Sequence, residues 1–291
     1  MTNQQHPSAI QSFTAVANDY VKILVVTDGD VRYSNDCFAP GIKRSMLNHV
    51  RADASDYISL ANNILVLISP PHVVLIDTGN GYTSAPEAGY LPTNLQAAGI
   101  DPTDVTDIVL THAHPDHING LVSGTGQLVF PNAAIHLPEA EYGFWQSAAP
   151  DFSKSKNSLA TLQQLQQGIR KVLAATGNKL RLFNTSAPLF PFLRPIPAPG
   201  HTPGHSMFEV TAGTTTFIHM ADICHDAEIL FARPEWGTIF DIDFELAAQT
   251  RRRTLGELAD SRQLVFAYHL QWPGFGRIVR MGDGFRWEAG Y

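Results

Sequence analysis

The sequence predicts an α/β protein in which two β-sheets pack face to face and helices cover their outer faces. Three observations predict it. Apolar strand-like runs alternate with helical patterns in two similar halves. The His- and Asp-rich clusters fall at the C-terminal ends of strand-like runs, where loops carry function on such scaffolds. No linker separates the halves, and 291 residues suffice for one large core. The polar start of the chain predicts a flexible N-terminal tail over residues 1–18, followed by a single domain over 19–291.

In chain order, residues 20–27 form an apolar run that ends at a predicted turn, Asp28-Gly29-Asp30. Residues 37–56 show little periodicity and read either as a loop over a site or as a poorly structured arm. Residues 63–69 and 72–77 are two apolar strands joined at Pro70-Pro71, a β-hairpin in effect. A short helix over 92–98 is closed by Gly99, and a strand over 107–111 follows. Residues 128–137 read as strand and 139–146 as a helix carrying Phe144 and Trp145. From the N-cap Ser158, the positions Leu159, Leu162, Leu165, Ile169, Val172 and Leu173 recur at helical spacing until Gly177. That pattern predicts an amphipathic covering helix. Strands over 180–183, 207–211 and 215–220, a helix over 244–258 and a strand ending at His269 complete the second half.

The densest chemistry lies in Thr111-His112-Ala113-His114-Pro115-Asp116-His117, directly after Ile108-Val109-Leu110. His112 and His114 are two apart, so at an extended strand end both point to one side. Pro115 breaks the strand, and Asp116 sits where a helix begins, a position that favours a carboxylate. Asp116 and His117, adjacent on a first helical turn, can reach a different metal from the one His112 and His114 hold. One loop therefore seeds two metal positions.

At these residues the chain resembles the metallo-β-lactamase superfamily. Asp77-Thr78-Gly79, Pro199-Gly200-His201-Thr202-Pro203-Gly204-His205, Asp222 and His269 continue the family pattern in order. The resemblance implies an αββα four-layer sandwich, here a single catalytic domain. It implies that His112, His114 and His201 hold one metal, that Asp116, His117 and His269 hold the other, and that Asp222 bridges them. Asp77 would fix a ligating histidine from behind. The segments around Phe240-Asp241-Ile242-Asp243 and Thr250-Arg251-Arg252-Arg253, with the loop after His269, are most similar to the methyl parathion hydrolase and lactonase branch. N-terminal segments in such relatives flank the pocket, which favours the loop reading of residues 37–56.

A ligand set of imidazoles and carboxylates without thiolate suits two divalent ions, Zn2+ first, with Mn2+, Co2+ or Fe2+ as alternatives. Zinc has no redox chemistry, so its work is Lewis acidity and water activation. The expected reaction is attack of a metal-bridging hydroxide on a lactone or ester carbonyl, with Asp116 or Asp222 as catalytic proton carriers. The leading expectation is a lactonase, acting for instance on acyl-homoserine or aromatic lactones. The alternative is phosphotriester hydrolysis of the methyl parathion hydrolase type. A glyoxalase-II-like thioesterase, a β-lactamase and a non-catalytic metal-binding protein rank below both. For the substrate pocket, the sequence offers Trp272 and Phe275 after His269, Phe144 on its helix and His225 near Asp222, and the resemblance to methyl parathion hydrolase adds Trp145.

The net charge of −7 and pI near 5.9 argue against a nucleic-acid surface. Arg251-Arg252-Arg253 reads as a solvated helix face. Cys37 and Cys224 imply no disulfide framework, and no stretch approaches the ~20 apolar residues of a membrane span. The expected partner is a small-molecule substrate, with neither nucleic acid nor membrane, in a cytoplasmic protein compatible with a homodimer.

Overall fold

The computed structural model describes residues 13–17, 21–51, 55–82 and 87–290. The first sheet holds β1 (Phe13–Ala17), β2 (Lys22–Ser34), β3 (Tyr57–Ser69), β4 (His72–Ile76), β5 (Asp107–Val109), β6 (Ala134–Pro138) and β7 (Leu180–Phe183), side by side in chain order. Its first four strands are antiparallel, and β4 to β7 run parallel. The second sheet runs in the order β13-β12-β11-β10-β9-β8. These strands are β8 (Leu193–Pro197), β9 (Ser206–Ala212), β10 (Thr215–His219), β11 (Leu264–Phe266), β12 (Phe275–Met281) and β13 (Gly284–Ala289). Only the β10–β11 pair is parallel there. The helices are α1 (Arg44–Val50), α2 (Leu91–Ala97), α3 (Pro115–Ile118), α4 (Glu139–Gln146), α5 (Leu159–Ala175), α6 (Ile229–Ala232) and α7 (Phe244–Ser261). None is long and apolar enough to cross a membrane, among the described residues.

The period-two geometry of strands produces the four layers. Ile23, Val25, Leu65, Leu67, Val74 and Ile76 point between the sheets, where they meet Phe208, Phe217, Phe266 and Phe275 of the second sheet. Their alternates Leu24, Val26, Ile64, Val66 and Leu75 point outward and pack under Leu91 and Leu95 of α2 and Leu162, Ile169 and Leu173 of α5. Strands buried on both faces read as continuous apolar runs. The outer face of the second sheet, with Ile218, Val265 and Ile278, is covered by α6 and by Leu255 and Leu258 of α7. The αββα sandwich expected from the sequence is present.

Three local expectations need correction. Residues 13–17 of the expected tail form β1, paired antiparallel with β2, while residues 1–12 and 18 lie outside the described residues. Asp28-Gly29-Asp30 is no turn. β2 continues through it with a register shift against β3, and the buried Asp28 carboxylate accepts from the backbone N–H groups of Asn80, Gly89 and Leu91. A charged residue inside a strand mimics turn chemistry when its backbone partners are distant in sequence. The 37–56 segment contains a helix, α1, and an isolated bridge from Phe38 to Thr238, so it is neither a plain loop nor an unstructured arm.

Candidate metal centre

The ends of four strands converge at one edge of the sandwich. The pairs β4–β5 and β10–β11 are each parallel, so the residues that follow them emerge at the same end. Asp77 follows β4, the His112–His117 loop follows β5, Asp222 follows β10 and His269 follows β11. His201 arrives on the turn between β8 and β9. Gly200, at φ +130°, lets this turn lie against α7: a Cβ there would fall 2.3 Å from the backbone nitrogen of Ala247.

Asp222 is the hub. Its carboxylate oxygens lie 3.3 Å from His117 Nε2, 3.3 Å from His201 Nε2, 3.2 Å from His269 Nε2, 3.2 Å from His225 Nε2 and 3.8 Å from His112 Nε2. His114 Nδ1 lies 2.9 Å from His201 Nε2, and Asp116 Oδ2 lies 3.5 Å from His269 Nε2. Two sets of potential ligand atoms draw together: His112, His114 and His201, and Asp116, His117 and His269. Asp222 groups with His112 and His117, which spans both sets.

For four of these imidazoles the other ring nitrogen is spoken for, which fixes the tautomer and the direction of the free nitrogen, while His114 Nε2 has no hydrogen-bond partner among the described residues. His117 Nδ1 donates to Asp77 Oδ2 at 2.8 Å. Thr111 gives both its N–H and its hydroxyl to the same Asp77 carboxylate, so its oxygen is left to accept from His112 Nδ1 at 3.0 Å. His201 Nδ1 donates to Asp241 and His269 Nδ1 to the Ala61 carbonyl, each at 2.9 Å. Asp77 itself sits at φ +65°, a backbone conformation uncommon outside glycine.

The arrangement is a fit test for cations. His112 Nε2, His117 Nε2 and Asp222 Oδ1 are buried without hydrogen-bond partners, an arrangement costly for polar atoms unless something else satisfies them. Two divalent ions satisfy all of them with nitrogen and oxygen donors of the right chemistry. The charges agree. Burial opposes ionisation of Asp222, yet His117, His269 and His112 hold it well below the usual carboxylate range. Burial and the neighbouring His117 push His112 well below the usual histidine value. For His117 burial works the same way, but Asp222, Asp77 and Asp116 raise it well above. His205 is pushed down to about 3 by burial and stays neutral, with its Nε2 accepting from the Asp222 N–H.

The pocket beside this centre encloses about 240 Å³. His114, Asp116, His201, Asp222 and His225 form its floor, and Tyr33, Leu60, Phe240, Leu162 and Leu165 supply apolar wall. Of the five pocket residues expected from the sequence, only His225 lines it. Trp145 is fully buried behind His114, with its ring nitrogen donating to Glu141, and Phe144 packs on Trp145 and Phe152. The loop after His269 folds back so that the Ala267 N–H meets the Gly274 carbonyl. Phe275 thereby enters β12 and packs on Phe217 and Phe266 between the sheets, and Trp272 packs against the same cluster. A Pro/Gly loop after a ligand carries no information about which way it turns, which is why the sequence misplaced these two rings.

Other residues were missed. Arg251, expected on a solvated face, is buried: it donates to the carbonyls of Ile223 and Pro234 and to Asp241, which in turn holds His201. Only Arg252 and Arg253 of that run are exposed. Tyr268 stacks on His117 and donates its hydroxyl to the Asp116 carbonyl at 2.7 Å. The α5 helix is more than a cover, since Thr161, Leu162 and Leu165 reach the pocket. Its apolar positions three and four residues apart were visible, but not that its first turns overhang the strand ends.

Residues 59–269 match the model of the metallo-beta-lactamase superfamily, and the chain belongs to that superfamily. Its fold and site make it a metal-dependent hydrolase with a dinuclear divalent metal site. It is similar to AidC, a dizinc quorum-quenching lactonase solved with a product bound, at 33% identity over 98% of this chain and 99% of that one, with a TM-score of 0.91. It is also similar to AbOPH, a hydrolase of the beta-lactamase superfamily, at 25% identity over 98% and 99% of the two chains and a TM-score of 0.88. The probable metallo-hydrolase Mb2322c of Mycobacterium bovis is 26% identical over 235 residues, which cover 73% of this chain and 71% of that protein.

Proposed function

We propose that the protein is a dizinc lactonase acting on neutral lactones with an apolar substituent. The observation that carries this reading is the make-up of the pocket: carboxylates and imidazoles at the floor, Tyr33, Phe240 and leucines on the walls, and no Lys or Arg among the lining residues. A carboxylate-bearing β-lactam or a glutathione thioester would find no Lys or Arg there to bind its carboxylates away from the metal centre. The similarity to AidC supports the same substrate class.

Two divalent ions bound by His112, His114 and His201 and by Asp116, His117 and His269, with Asp222 between them, would supply Lewis acidity and a water nucleophile near neutral pH. The chain's own residues do the rest. The apolar walls hold the acyl part and exclude water, while Asn80, Asn157 and Thr161 offer amide and hydroxyl groups for the polar part of the substrate. Asp116 is the more solvent-accessible of the two site carboxylates and lines the pocket, so it is placed to take a proton from the attacking water and hand it to the alkoxide that leaves as the ring C–O bond breaks.

The test is initial rates of zinc-replete protein on parallel panels of lactones, aryl esters and phosphotriesters, followed by acid release. A lactone kcat/KM about 100-fold above the others, some 2.7 kcal/mol of transition-state discrimination, is the expected result. Dominance of phosphotriesters would replace this reading with the methyl parathion hydrolase type, and no activity on any panel would overturn the substrate class. Within the lactone panel, Leu165→Trp fills the apolar wall and lowers kcat/KM for long-chain substrates by about 10-fold more than for short-chain ones, as loss of one or two methylene sites predicts.

A further inference from the structure

We infer that Glu141 is a positioning residue for the three-imidazole half of the metal centre, clamping its two ligand loops to one buried carboxylate. The inference rests on the metal reading above. Glu141 lies in the first turn of α4 and is fully buried, and among the described residues it belongs to none of the groups of potential metal ligands. Its Oε1 accepts from the N–H of Ala113 at 3.0 Å, the residue between His112 and His114. Its Oε2 accepts from the Thr202 hydroxyl at 2.6 Å and the Gly204 N–H at 2.9 Å, on the turn that carries His201. Trp145, one helical turn along and edge-on to His114, adds a fourth donor at 2.6 Å to Oε1.

The contacts are specific in three ways. They join two loops about ninety residues apart in sequence, which together supply all three imidazoles of one set, and Ala113 lies between two of them, whereas Asp116 and His117 of the other set follow it on the loop and His269 comes from another strand end. They require a close approach, since a Cβ on Gly204 would fall 2.3 Å from the Glu141 backbone nitrogen. And they favour the ionised form: burial pushes the Glu141 pKa up, but four donors meet two oxygens, and three of them are N–H groups that cannot accept an acid proton. The buried anion also favours a dication in the set that it braces.

Glu141→Gln keeps the shape and breaks the clamp. Whichever way the amide is turned, its NH2 group faces either the Ala113 and Trp145 donors or the Gly204 N–H. The experiment is competitive zinc titration against a chromophoric chelator, in backgrounds that retain one metal set each. His269→Ala retains the three-imidazole set and His114→Ala retains the other. The expected result is a loss of zinc affinity of about 10- to 100-fold on adding Glu141→Gln to the first background, with a clearly smaller loss in the second, whose Asp116 and His117 lie further along the clamped loop and whose His269 does not lie on it. Thr202→Val, which removes one donor and leaves the carboxylate charged, should produce a smaller loss with the same selectivity, and serves if the glutamine variant does not fold. Equal losses in both backgrounds would show general destabilisation and overturn the inference, as would no loss in either. Absence of zinc binding in the unmodified protein would instead overturn the metal reading itself.

Discussion

Replacing Asp222 with Asn lowers kcat/KM by more than about 100-fold, beyond the 10- to 100-fold typical of groups that only orient metal ligands. The reason is geometric. Five imidazole nitrogens lie within 3.8 Å of this one carboxylate, and it touches both sets of ligands. An amide keeps the size but removes the charge, and its NH2 group has no lone pair for a metal and would donate to ring nitrogens that the ions need. Metal content measured alongside the kinetics should fall below two ions per chain. Retention of both ions with full activity would remove Asp222 from the centre. The effect should persist across the working pH range, because the carboxylate is held well below its usual range and does not titrate there.

Replacing Arg251 with Met should destabilise the protein by about 3–5 kcal/mol, the cost of leaving a buried charge without its partner. Arg251 is buried on α7, Asp241 is fully buried, and their nitrogen and oxygen lie 3.2 Å apart. Methionine fills the space but strands Asp241 and frees two backbone carbonyls. Denaturant midpoints at neutral pH measure the loss. The pH dependence has a definite sign. Burial alone would raise the Asp241 pKa, but Arg251 and His201 hold it far below the usual value. A depressed carboxylate pKa gives stability that is complete above the unfolded value of about 3.9 and is lost as pH falls through the folded one. The gap between wild type and variant should therefore be full at pH 7 and narrow below about pH 4. A gap that is flat with pH would mean that Arg251 acts through packing alone. Since Asp241 also takes the Nδ1 proton of His201, the variant should bind zinc more weakly as well.

Much of the centre was legible in the sequence because its ligands are dense and sit on short loops after apolar strands. His112, His114, Asp116 and His117 fall within six residues, so their relative placement is set by local backbone geometry. The hairpin at Pro70-Pro71, the α4 helix and the Ser158-capped α5 helix were legible for the same reason: caps, breakers and periodicity act over a few residues.

What the tertiary structure alone decided has a different range. Asp28 looked like a turn because its three backbone partners lie 52 to 63 residues on. Arg251 looked like a surface residue because the carbonyls and the carboxylate that offset its burial come from other segments. Trp145, Trp272 and Phe275 looked like pocket walls, while Tyr33, Leu60 and Phe240 form part of them. An aromatic side chain suits a core and a pocket equally, and only the packing of distant strands determines which face it meets. The sequence by itself determined the chemistry, since ligand identity and spacing are local. The shape that selects a substrate was decided by the fold, since it depends on contacts between residues far apart in the chain.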